Sequence, residues 1–90
     1  MQRMLRESQL VGQARAELQG GNAAAALRTL ATLDEQIPRG NLRQEREVLT
    51  IEALSASGQR AAAGQRAEAF LRLFPRSPYA ARLQAFVPGR

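Results

Sequence analysis

The chain contains no cysteine, no histidine and no lysine. Without Cys there is no disulfide framework, no thiolate nucleophile and no Cys-based metal site. Without His the commonest general base and the commonest transition-metal ligand are gone, and without Lys there is neither a Schiff-base amine nor the ammonium of a phosphate loop. Catalysis would have to run on Arg, Glu, the single Asp34, the single Tyr79 and a few hydroxyls. The composition therefore argues against an enzyme, and no catalytic residue, cofactor or metal is expected.

Two further absences concern the setting. No run approaches the ~20 apolar residues of a membrane span, and the N-terminal region has no signal-peptide core. Two readings follow: a cytoplasmic protein, or a soluble piece of something longer whose targeting segment lies elsewhere. A helical pattern directly after Met1 and an ending in Pro-Gly-Arg suit the second at least as well as the first. No segment alternates with period two, so no sheet is expected.

Charge is present but scattered. The net charge is +5 and the pI about 11.5, a balance that favours polyanionic partners. All the cations are Arg, spread from Arg3 to Arg90 without a cluster, which reads as solvated helix faces.

The most informative feature is internal repetition. Gly21 to Pro38 reads GNAAAALRTLATLDEQIP and Gly58 to Pro75 reads GQRAAAGQRAEAFLRLFP, with Gly, amide and Pro recurring at an offset of 37. In each copy Gly opens a turn, the amide of Asn22 or Gln59 stands at a helix start, and Pro forbids continuation because it lacks an N–H. Arg39 and Arg76 follow at matching places, where a cation can meet the carbonyls of a helix end.

Along the chain, Met4, Val11, Ala14 and Leu18 fall at helical spacing with Leu10 beside them, predicting a first helix over residues 4–18. The Gly20-Gly21-Asn22 turn leaves the second helix antiparallel to it, with Ala23, Ala26, Leu27, Leu30, Leu33 and Ile37 in its stripe. Asn41 with Gln44 three residues later forms a capping-box pattern, predicting a third helix from Leu42. Its apolar set is broad (Leu42, Val48, Leu49, Ile51, Ala53, Leu54, Ala56), as befits a middle helix contacted on several sides, and Glu45, Glu47 and Glu52 occupy the remaining surface. After Ser57-Gly58-Gln59 a fourth helix carries Ala63, Ala67, Phe70 and Phe74, flanked by Leu71 and Leu73. Ser77-Pro78 reads as an N-cap followed by Pro at the first helical position, starting a short fifth helix with Tyr79, Leu83 and Phe86 inward.

A helical hairpin with one buried face per helix cannot satisfy itself alone, so hairpins stack and share a core. Small residues (Ala14, Ala26, Ala53, Ala63, Gly64) mark where helices approach, and Leu30, Leu33, Leu49, Phe70, Phe74 and Leu83 fill between. The expectation is an all-α domain over residues 1–90: hairpins at about 4–38 and 42–75, and a closing helix at about 78–87. An up-down bundle is the alternative, but it has no reason to repeat its Gly-to-Pro interval.

The Gly-to-Pro interval, the small residue early in the second helix of each hairpin (Ala26, Ala63) and the large one seven further on (Leu33, Phe70) resemble the tetratricopeptide repeat, whose usual period is 34. The family's first-helix aromatic and Leu-Gly pair are replaced here by Gln13-Ala14 and Thr50-Ile51. The stretch FLRLFPRSPYAARLQAF is similar to repeat boundaries in bacterial cell-envelope members of this class. That resemblance implies a periplasmic or envelope setting, with the cytoplasm as alternative. It also implies a protein-interaction or assembly module holding an extended peptide or partner helix on the face of each repeat's first helix. Carried over register by register, the groove positions are Val11, Arg15, Val48, Glu52, Ser55 and Arg82. Such a groove would be short, so the partner implied is another protein or a second copy of the chain.

A basic nucleic-acid-binding domain is the alternative, since Ala16, Gly20 and Ala26 loosely fit a helix-turn-helix spacing. Its recognition helix would begin with four alanines at 23–26, which offer nothing to base edges. An enzymatic reading would rest on Glu45 and Glu52 sharing a helix face, which without a pocket, a His or a metal set is a solvated face.

Overall fold

A computed structural model describes residues 2–89, with side chains from residue 4 onward. The described residues form five α-helices and no strand: α1 (Gln2–Gln19), α2 (Ala23–Gln36), α3 (Arg43–Ala56), α4 (Arg60–Leu73) and α5 (Ala80–Leu83), the last running into a 3-10 turn over Gln84–Phe86. The all-α stack of hairpins is as the sequence predicts.

The repetition is carried by backbone geometry. At the α1–α2 turn the Asn22 N–H donates to the Glu17 carbonyl at 2.8 Å and the Gly21 N–H to Leu18 at 3.0 Å. At the α3–α4 turn Gln59 donates to Leu54 at 2.8 Å and Gly58 to Ser55 at 3.0 Å. Both are Schellman closures, and both need a left-handed residue that Gly supplies, with φ of 84° at Gly21 and 89° at Gly58. Asn22 caps α2 through its side chain, its Oδ1 accepting from the Ala25 N–H at 3.0 Å; Gln59 makes no such bond on α4. The far ends match too. Ile37 and Phe74 close α2 and α4 with φ near −135° and −131°, each N–H returning to the carbonyl four residues back.

Two cores result. The first gathers Leu10, Val11, Ala14, Ala26, Leu30, Leu33, Ile37, Leu49 and Ala53. The second gathers Val48, Ile51, Ala63, Ala67, Phe70, Leu83 and Val87. Helix α3 serves both, giving Leu49 and Ala53 to one side and Val48 and Ile51 to the other, which is why its apolar set is so broad. Gly64 lets the C-terminal turn settle onto α4, since a Cβ there would stand 3.0 Å from Pro88 Cδ and 3.1 Å from the Phe86 carbonyl oxygen.

The structure corrects four local expectations. Met4 is 58% exposed: α2 ends beside Arg6, whose Nε donates to Gln36 Oε1 at 3.4 Å, and Met4 and Leu5 stand beyond that end. Helix α3 starts one residue later than predicted, and Leu42, not Asn41, is its N-cap, with no side-chain capping bond of its own. Tyr79 is the N-cap of α5, so Ser77 and Pro78 precede the helix. Ser77 still organises that turn: its Oγ accepts from the Tyr79 N–H at 3.1 Å and bonds Gln44 Oε1 at 2.6 Å. Finally, Leu73 does not flank the α4 core but stands 69% exposed.

Candidate partner-binding surface

Any surface this chain offers depends on how its hairpins are held together, and the junction between them is polar. Glu7 on α1 is only 2% exposed. Its carboxylate accepts from the Asn41 N–H at 2.8 Å and the Leu42 N–H at 3.0 Å. This side chain does the work that sequence reasoning assigned to Asn41 and Gln44, because it reaches the start of α3 from the preceding hairpin. Arg46 on α3 completes the junction. Its Nη1 donates to Glu7 Oε2 at 3.1 Å and to the Ile37 carbonyl at 2.7 Å, and its Nη2 to Asp34 Oδ1 at 2.8 Å. Thus Arg46, rather than the exposed Arg39, meets the carbonyl end of α2.

The charge state of Glu7 follows from this geometry. Burial pushes its carboxyl pKa up, but the Leu42 and Asn41 N–H groups and the Arg46 guanidinium together outweigh that cost and hold it below the usual value. Gly40 is part of the same fit, because a Cβ at that position would overlap the Glu7 carboxylate.

This cluster was missed in the sequence, although the repeat contains its signal. Stepping by 37 aligns Arg46 with Leu83, a fully buried position, and a cation at a core position of a repeat has to find buried partners. The same step aligns Glu7 with Gln44 and Gly40 with Ser77. The Gln44–Ser77 hydrogen bond is therefore the second, neutral edition of the Glu7 junction.

Of the six groove positions, the structure brings together Glu52 and Arg82. Arg82 Nε and Nη2 donate to the two Glu52 carboxylate oxygens at 2.7 and 2.8 Å, bridging α3 to α5. That bidentate bond raises the Arg82 pKa above its already high value, burial opposing it. Arg15 is exposed at the α1 position that corresponds to Glu52, and Ser55 is half-buried near the end of α3. Val11 and Val48 are each 2% exposed and lie in the first and second cores respectively, beneath the surface. A second bidentate pair, Arg66 with Glu47 at 2.8 Å for both bonds, ties α4 to the other side of α3.

Among the described residues no group of acidic side chains is arranged to hold a metal ion, and no helix is long and apolar enough to cross a membrane. A family model described as YfiO, outer membrane lipoprotein, matches residues 3–84. No curated protein and no solved structure matches the chain.

Proposed function

The chain belongs to the YfiO family of outer membrane lipoproteins, and on that premise we propose that it is a non-catalytic protein-interaction or assembly module, one TPR-like domain of a larger bacterial envelope protein. The observation that carries this reading is the repeated hairpin. Two copies with the same closing turns and the same helix ends give a rigid scaffold whose first helices repeat the same side-chain register.

On this reading the partner is a protein or peptide lying along α1 and α3, where it meets Arg15, Glu52, Ser55 and Arg82. The Glu52–Arg82 pair gives that surface a fixed polar feature, worth up to about 1 kcal/mol of stability in this exposed setting. It serves recognition more than folding, because a partner that approaches it finds both charges already oriented.

The test has two stages. Light scattering over a concentration and salt series separates a chain that pairs with itself from one that needs a separate partner. A photo-crosslinking residue is then placed at Ser55 and, as a control, at the exposed Ala24 of α2, in cells of the parent bacterium. A discrete protein adduct at Ser55 and none at Ala24 is expected. Equal adducts from both positions, or none from either in a chain that remains monomeric, overturn the assignment of this face.

A further inference from the structure

At one matched pair of positions the two hairpins differ in a way that leaves a cation beside an exposed apolar side chain. In the first hairpin Arg6, early in α1, donates to Gln36 at the end of α2. Adding 37 to each gives Arg43, at the start of α3, and Leu73, at the end of α4. The Arg is retained and its acceptor is replaced by a side chain that cannot accept. Among the described residues no carboxylate pairs with Arg43, and Leu73 is the most exposed large apolar residue, at 69%. The repeat does not require Leu there, since Gln36 serves in the first copy.

Around this pair the surface is concave. Arg43, Glu47, Arg66, Phe70, Leu73 and Phe74 line a hollow of about 240 Å³ between α3 and α4. Its apolar side includes the half-buried Phe74, whose ring lies 5.0 Å from that of the buried Phe70 beneath it, tilted by 53°. Arg66 is occupied by Glu47 on one wall, so the charge that faces the mouth unmet is that of Arg43. On its other side Arg43 borders a shallow shelf formed with Pro38, Arg39 and Gly40. Arg39 is likewise exposed and unpaired among the described residues.

We infer that this hollow docks an acidic peptide segment, seating an apolar or aromatic side chain against Leu73 and Phe74 and placing a neighbouring side-chain carboxylate on Arg43. Charge complementarity selects the occupant. A basic or neutral segment leaves Arg43 and Arg39 unmet, and a purely acidic one leaves Leu73 in water. The site is separate from the α1–α3 face, so each can fail without the other.

The experiment is fluorescence polarisation with the whole chain and a short fluorescein-labelled peptide, acetylated and amidated, in which Asp alternates with Leu and Phe. Two companion peptides replace every Asp by Asn, or every Leu and Phe by Ala. The parent peptide is expected to bind saturably, and each companion about tenfold or more weakly, the scale of one charged hydrogen bond or one buried apolar side chain. Arg43→Gln should weaken the parent peptide about tenfold and leave the Asn companion unchanged. Leu73→Gln, which restores the first hairpin's pairing, should weaken the parent as much. Both positions are exposed, so the variants should keep the wild-type melting curve. Equal binding of parent and Asn companion overturns the proposal, as does an Arg60→Gln control that weakens binding as much as Arg43→Gln. Tight binding of a single-stranded oligonucleotide that needs Arg43 but ignores Leu73 also overturns it, and would mark the shelf as a phosphate site.

Discussion

Glu7 and Arg46 lie 39 residues apart in the chain and 3.1 Å apart in space, almost wholly out of water. They join the first helix of one hairpin to the first helix of the next, and through Asp34 and the Ile37 carbonyl they also engage the helix between. Breaking a buried pair by removing one partner costs about 3–5 kcal/mol, whereas removing both charges together costs far less. Arg46→Leu, which places at this position the residue the repeat carries at Leu83, should therefore be strongly destabilising alone. Combined with Glu7→Gln it should recover much of the loss, because the amide oxygen still accepts from Asn41 or Leu42. Urea unfolding of the two singles and the double checks this; strict additivity would mean the charges act independently.

The same carboxylate sets an acid response. Its folded pKa lies below the ordinary 4.5, so the unfolded chain binds the proton more readily and stability rises with pH across that interval. The contribution is complete above about pH 4.5 and is lost as pH falls through the depressed folded value. In Glu7→Gln this part of the acid slope should vanish while the slope from other carboxylates stays, as read from midpoints of thermal unfolding between pH 7 and pH 3.

Gly40→Ala should destabilise through Glu7 rather than through backbone strain. The new methyl claims the volume of a carboxylate pinned by three hydrogen bonds, and overpacking of this kind costs about 1–3 kcal/mol. In a Glu7→Ala background the space is free and the added cost should fall close to zero. A Gly40→Ala penalty that is the same in both backgrounds would exclude Glu7 as the cause.

Leu30→Asp and Phe70→Asp each place an unpaired charge in one of the two cores. Because α3 lines both, each should abolish the whole helical signal in circular dichroism rather than half of it. A variant that keeps half its helicity with a cooperative melt would show that the hairpins fold separately.

What the sequence made legible was local and periodic. Gly21 and Gly58, Pro38 and Pro75, and the stripes from Ala26 to Ile37 and from Ala63 to Phe70 announce turns and faces through short-range rules, and the structure follows them. The misses involve partners that are near in space but far along the chain. Asn41 looked like a cap because the true cap, Glu7, sits 34 and 35 residues upstream of the N–H groups it meets. Leu73 flanks the stripe beside Leu71 by its spacing, but periodicity alone does not show which flank a neighbour covers, and of the two only Leu71 is half-buried. Val11 and Val48 occupy the register of a groove, but close packing of α1 and α3 onto their neighbours draws both beneath the surface. Of the six positions expected for a groove, Arg15, Glu52, Ser55 and Arg82 reach solvent at least in part.

Helix α3 gives one side to each core, and this has a consequence for hydrogen exchange. Its central amides, from Val48 to Ala53, can open only when both cores are lost, so their protection should correspond to the free energy of global unfolding. The outer faces of α1 and α4 each border a single core and can fray alone. Any ligand that tightens either hairpin should slow exchange in this segment, so the middle helix would report binding at a surface it does not itself present.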